Sequence, residues 1–216
     1  MNRAERRAAA RGETARDHRI MQVHEAAHAV GRIFSAEAHD IPVENMVDNI
    51  VVRISVATTY GPIFPRVVQD ALQKHIKAAA ASGKKEVAPV FSIMEIEKAR
   101  EQGVDIERWL KAKLVMIALG PCAEAKLTGR DTFEVFNSAE CRGDYDDAMS
   151  TCNYAGTGAQ RGGELIVAAI EAATALLEQP NVWRAVIAVA DLVPRRGILP
   201  GDTIVRAATA ALAGSA

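Results

Sequence analysis

The sequence predicts a mainly α-helical fold with one short β-strand or hairpin. Three observations predict it. Ala is abundant and aromatics make up only 5% of the 216 residues, and Ala is the best helix former. Apolar residues recur at spacings of three and four in one segment after another, which marks helices with a buried face. One β-branched run, Asn49 to Val56, places four apolar residues on alternate positions and is the best strand candidate.

The elements follow in order. Residues 17–36 read as a helix, with Ile20, Val23, Ala27, Val30 and Phe34 on one stripe and Asp40 to Pro42 as its break. In NIVVRISV, Ile50, Val52, Ile54 and Val56 share one face of a strand. Thr58 to Pro65 is turn-like, 66–82 is a basic helix, and Gly83 to Pro89 is a loop. Helices follow at 92–102 and 105–119. Gly120-Pro121 is expected to break or kink the second, with a restart over 121–128 closed by Gly129. A polar loop runs to Arg142, then come helices at Asp144 to Tyr154 and at Glu164 to Glu178. Asn181 is expected to cap a helix to Val193, Gly197 to Gly201 to turn, and 202–213 to form the last helix.

Charge and composition exclude several classes. The net charge of −1 points neither to nucleic acid nor to an anionic membrane surface. No stretch reaches the 18 or so uncharged apolar residues of a membrane span. Cys122, Cys141 and Cys152 are odd in number and form no CxxC pair, so they read as free thiols in a reducing, cytoplasmic setting. Residues 1–16 are rich in Arg but lack the apolar core of a secretory signal. They read as a basic, solvated, partly helical arm in front of a domain over 17–216.

One motif carries chemistry. His24-Glu25-Ala26-Ala27-His28 is an HExxH sequence inside a predicted helix, with no other charge between Val23 and Val30. Residues four apart stack on one helix face, so both imidazoles can reach one zinc ion. Glu25 then lies beside the open coordination position, where a carboxylate can take a proton from water activated by the metal. The remaining histidines, His18, His39 and His75, have no partner spacing and read as surface or loop residues. His75 is the last of them, so no downstream His completes an HExxHxxGxxH pattern. The third ligand is therefore expected to be a carboxylate, and position alone leaves many candidates.

Three later segments narrow the choice: MIALGPCAEAKLTG at Met116 to Gly129, GDYDDA at Gly143 to Ala148, and DLVPRRGILPGDTIV at Asp191 to Val205. In this order after HEAAHA, they resemble the peptidase domain of the FtsH family of zinc proteases. The resemblance covers residues 18–36, about 50–61, 108–156 and, more weakly, 183–212. It implies a helical, zincin-like metallopeptidase domain. It also implies His24, His28 and Asp144 as zinc ligands, Glu25 as the base, and Glu124 behind a ligating histidine. The strand near Val52, Ile54 and Val56 would be the edge strand that holds an extended peptide. Asp146 and Asp147 compete with Asp144; Asp146 lies about 200° away on the helix, and Asp147 sits at the edge of the stripe.

The chain also departs from that pattern. No GxxxxGK[ST] motif occurs, Gly120-Pro121 replaces a Gly pair, Gly143 precedes the aspartate, and residues 62–103 read as an insertion. The resulting expectation is a zinc peptidase acting on unfolded or short polypeptides. The alternative is a zinc-binding interaction or regulatory module that kept the fold without cutting. The intact Glu25 favours the enzyme, because holding zinc does not require it.

Overall fold

A computed structural model describes residues 3–52, 57–81 and 91–214. Among them are nine helices and a small antiparallel sheet of three strands. The first, α1, spans Arg3–His39, so the basic arm and HEAAH share one continuous helical backbone. A 3-10 turn at Val43–Asn45 leads to β1, Asn49–Val52, and then β2, Ala57–Tyr60. Two helices follow, α2 at Arg66–Ala81 and α3 at Phe91–Glu101. The long α4 spans Ile106–Thr128, the short α5 Thr132–Phe136, and α6 Arg142–Ala155. The chain closes with α7, Ala159–Glu178; α8, Pro180–Ala190; β3, Gly197–Pro200; and α9, Gly201–Ala213. No helix among the described residues is long and apolar enough to cross a membrane.

The centre of the fold is the packing of α1 against α4. Val23, Ala26, Ala27 and Val30 of α1 are fully buried, and so is Leu119 of α4. Small residues on α1 let the two helices lie close. The expected stripe holds as far as Val30. In the last two turns the buried positions become Ile33, Ala36 and His39, and Phe34 is left 42% exposed.

Both ends of α4 are capped as the local sequence allows. The Asp105 carboxylate accepts from the backbone N–H groups of Glu107 and Arg108, at 3.1 Å each. Gly129 ends the helix in the left-handed conformation, φ 70°, which glycine adopts without steric cost. The break expected at Gly120-Pro121 does not occur, and α4 runs through both residues. Proline removes one N–H, a cost of about 3 kcal/mol in a helix interior. Every residue from Met116 to Ala125 is buried, so packing on several sides offsets that cost.

Four other local expectations are corrected. Thr58 to Pro65 is not all turn: Ala57–Tyr60 returns as β2, antiparallel to β1 with Ile50 opposite Thr59. Gly197–Pro200 is not a turn but β3, pairing the other side of β1 with Val51 opposite Ile198. Pro200 ends that outer strand, where its missing N–H costs little. The polar loop before Arg142 contains α5, whose cap Asp131 accepts from Glu134 N at 3.0 Å and whose Val135 and Phe136 are buried. At α8, Pro180 rather than Asn181 starts the helix, because its fixed φ already suits the first turn.

The strand order β2-β1-β3 puts β1 in the middle. The strand expected to be an edge is thus central. Ile50 and Val52 point into the core, Ile54 and Val56 lie outside the described residues, and the outer strands are β2 and β3. The segment 62–103 is not a simple appendage. Phe64, Val68, Ile96 and Ala99 join the main core. Phe64 stacks on Trp109 with ring centroids 4.7 Å apart, and the Trp109 indole N–H donates to Ile63 O at 2.7 Å.

Candidate metal centre

His24 and His28 lie one turn apart on the α1 face that meets α4. Their Nε2 atoms are 3.1 Å apart. Asp144, in the first turn of α6, completes the cluster. Its Oδ2 lies 3.1 Å from His24 Nε2 and its Oδ1 lies 3.2 Å from His28 Nε2. Two histidines from one helix and an aspartate from another, 116 positions further along the sequence than His28, thus converge on one point.

What lies behind each ring explains why both Nε2 atoms face inward. His28 Nδ1 is 3.0 Å from Met116 O on α4, so its N–H is held there and its Nε2 lone pair is presented to the cluster. His24 Nδ1 faces Glu124 Oε2 at 3.4 Å. Glu124 is itself buried, with Arg130 Nη1 3.8 Å from its other oxygen. The position and burial of Glu124 match those of a carboxylate that orients a ligand.

The backbone of α4 passes directly beneath the rings at Gly120. A Cβ there would collide with His28 Nε2 and Cε1 and with His24 Nε2. Glycine therefore leaves free the space into which both nitrogens point.

The groups are electrically matched. Burial alone would lower the His24 pKa, but contacts with Asp144, Cys141 and Glu124 outweigh it and raise the imidazole well above its ordinary value. Burial would raise the Asp144 pKa, yet the facing His28 and hydrogen bonds to both rings hold its carboxyl well below the usual carboxylate range. A cation binding at this point displaces a proton held by the cluster.

The donor set is one that could hold a metal ion. Around a tetrahedral zinc with bonds of about 2.0–2.2 Å, donor atoms stand roughly 3.3–3.5 Å apart. The two Nε2 atoms, 3.1 Å apart, stand close to that spacing, and each ring faces a different Asp144 oxygen at 3.1 or 3.2 Å.

The neighbouring carboxylates are occupied elsewhere. Asp146 pairs with Arg142 at 3.0 Å, and Asp147 faces Lys113 at 3.4 Å; both are more than half exposed. Glu25 is only 8% exposed, and its Oε2 accepts from the Thr59 hydroxyl at 2.8 Å.

Two members of this neighbourhood escaped the sequence reading. Cys141 is buried, and its sulfur lies within 4.8 Å of a ligating atom of His24 and of one of Asp144. Its position three residues before Asp144, at the start of the same helix, was the available signal. Thr59 had no signal, because its segment read as a turn. The expectation that His39 is a surface or loop residue is corrected: it is fully buried at the end of α1. His18 also lies on α1, partly buried, and His75 lies within α2.

Compared with protein-family models, with curated proteins and with solved structures, the chain finds no match in any of the three.

Proposed function

We propose that the chain is a zinc-dependent peptidase that hydrolyses peptide bonds of unfolded or short polypeptides. The observation that carries this reading is the convergence of His24 Nε2, His28 Nε2 and Asp144 within 3.1–3.2 Å, next to a buried glutamate. His24, His28 and Asp144 would hold the metal, and Glu124 would fix the His24 ring. Zinc held by these residues would supply Lewis-acid chemistry, making a water acidic and a carbonyl electrophilic. Glu25 accepts the proton of the attacking water and returns it to the leaving amine. With His24, His28 and Asp144 as its three protein ligands, such a site would keep one position for water, as catalytic zinc sites do. The outer strand β2 lies next to Glu25 through Thr59, so its edge, rather than that of β1, is the strand on which an extended substrate would align.

Cys141 favours a second reading. A thiolate this close to His24 and Asp144 is a potential fourth ligand. A site closed by four protein ligands is structural, and the chain would then be a zinc-binding module that cuts nothing.

The test pairs metal analysis with cleavage of an unstructured peptide library. The purified protein should hold about one zinc per chain. Glu25→Gln should keep that zinc and lose about 10²- to 10⁴-fold in rate, because an amide cannot accept the proton. Undiminished cleavage by Glu25→Gln would remove Glu25 from the mechanism. A zinc-loaded wild type that cuts nothing, together with zinc loss in Cys141→Ser, would transfer the assignment to the closed module.

A further inference from the structure

We propose, building on the peptidase reading, that Thr59 is a positioning residue for Glu25. The strand β2 alternates strictly. Thr58 and Tyr60 are exposed, whereas Ala57 and Thr59 turn toward the interior. Of those two, only Thr59 carries a hydrogen-bond donor. Its hydroxyl lies 2.8 Å from Glu25 Oε2 and 3.0 Å from the Glu25 main-chain carbonyl oxygen. The hydroxyl's single proton is thus shared between, or alternates between, the side-chain and backbone oxygens of one residue 34 positions away in sequence.

A glutamate side chain has three rotatable bonds, and ordering it costs up to about 2 kcal/mol. A general base must hold its oxygen within hydrogen-bond reach of the proton it takes. The Thr59 contact fixes the carboxylate plane before substrate arrives. It occupies Oε2 and leaves Oε1 as the oxygen that receives the proton. The register strengthens the argument. Thr59 sits opposite Ile50 of the central strand, whose side chain is fully buried, so β2 is anchored where the hydroxyl is needed. The strand that would align an extended substrate therefore also orients the base.

The experiment compares full-length, zinc-loaded wild type, Thr59→Val and Thr59→Ser on an unstructured fluorogenic peptide. Val keeps the shape and β-branching of Thr without the hydroxyl. Thr59→Val should lose about 10- to 100-fold in kcat, the effect of a hydrogen bond to a charged group. KM, zinc content and melting temperature should stay unchanged. Thr59→Ser should restore kcat to within a few-fold of wild type. In a Glu25→Gln background, Thr59→Val should have no further effect.

Four outcomes overturn the proposal: wild-type kcat in Thr59→Val, equal loss in Val and Ser, loss of zinc with Val, or an independent loss on top of Glu25→Gln. A wild type that cleaves nothing overturns the peptidase reading and the positioning role together. That failure is visible before any variant is compared.

Discussion

The helix α1 carries two kinds of histidine environment, one that faces a carboxylate and one that does not. His24 and His28 sit in the middle of the helix, each with one ring nitrogen held from behind by Glu124 or Met116 O and the other facing Asp144. His39 sits at the end of the same helix and is the more deeply buried of the three. Its Nδ1 faces only the Ser35 hydroxyl, at 3.4 Å, and its ring tilts near Trp109. No carboxylate contacts its ring among the described residues. The His24 and His28 side chains are each 14% exposed, so what separates the settings is chiefly the facing carboxylate. One setting raises an imidazole pKa, and the other lowers it to about 4.

The sharpest way to break this contrast is to remove the ligands. His24→Ala, His28→Ala and Asp144→Ala should each abolish stoichiometric zinc binding, measured by elemental analysis after dialysis. A site with two protein ligands holds zinc far more weakly than one with three. Asp146→Ala, Asp147→Ala and His39→Leu should retain it. Equal zinc in Asp144→Ala and Asp147→Ala would remove Asp144 from the centre.

Much of this was legible in the sequence, because the information was local. HExxH specifies its own geometry on a helix, whereas Asp144 is set apart from Glu124, Asp146 and Asp147 chiefly by the resemblance to the FtsH family. The α/β composition was readable for the same reason: Ala-rich periodic runs became helices, and Asn49–Val52 became a strand. What was not legible depends on distant partners. That β1 is central follows from Gly197–Pro200 returning to pair with it, and four residues of unremarkable composition do not announce such a return. Thr59 matters only through its contact with Glu25. Continuity of α4 through Pro121 reflects the packing around it, which local propensity does not encode. The same holds for His39, whose lone position in sequence suggested a surface residue.

His39 gives the next largest effect, on stability rather than on metal. Burial is the main cause of its lowered pKa; a contact with the Trp109 backbone opposes it, and the charges of Arg32 and Lys113 add to it. Above pH 6.5 the ring is neutral both folded and unfolded, and folding is unaffected by its titration. As pH falls below 6.5 the unfolded chain gains a proton that the folded chain refuses until about pH 4. Stability is therefore lost across that window. A shift from 6.5 to about 4 corresponds to about 3 kcal/mol. Urea denaturation of wild type and His39→Leu at pH 7, 6, 5 and 4 isolates this contribution. The wild-type curve should fall relative to the variant by that amount. Parallel curves would show that His39 is protonated at no cost when folded.

Glu124 should give the smallest effect, because it touches the metal centre only through His24. Its buried carboxylate faces Nδ1 at 3.4 Å, with the Cys141 thiol 3.7 Å away. A carboxylate behind a ligating imidazole fixes its orientation and makes it a stronger donor, and its loss typically weakens metal affinity about 10- to 100-fold. Glu124→Gln keeps the size and a hydrogen-bond acceptor but removes the charge, so it should fall between wild type and Glu124→Ala. Zinc competition titrations with a chromophoric chelator resolve the series. If Glu124→Ala lost zinc as completely as His24→Ala, Glu124 would have to be counted among the groups that hold the ion. If all three proteins bound zinc alike, the His24 ring would be oriented by α1 packing alone, and the difference from His39 would reduce to Asp144.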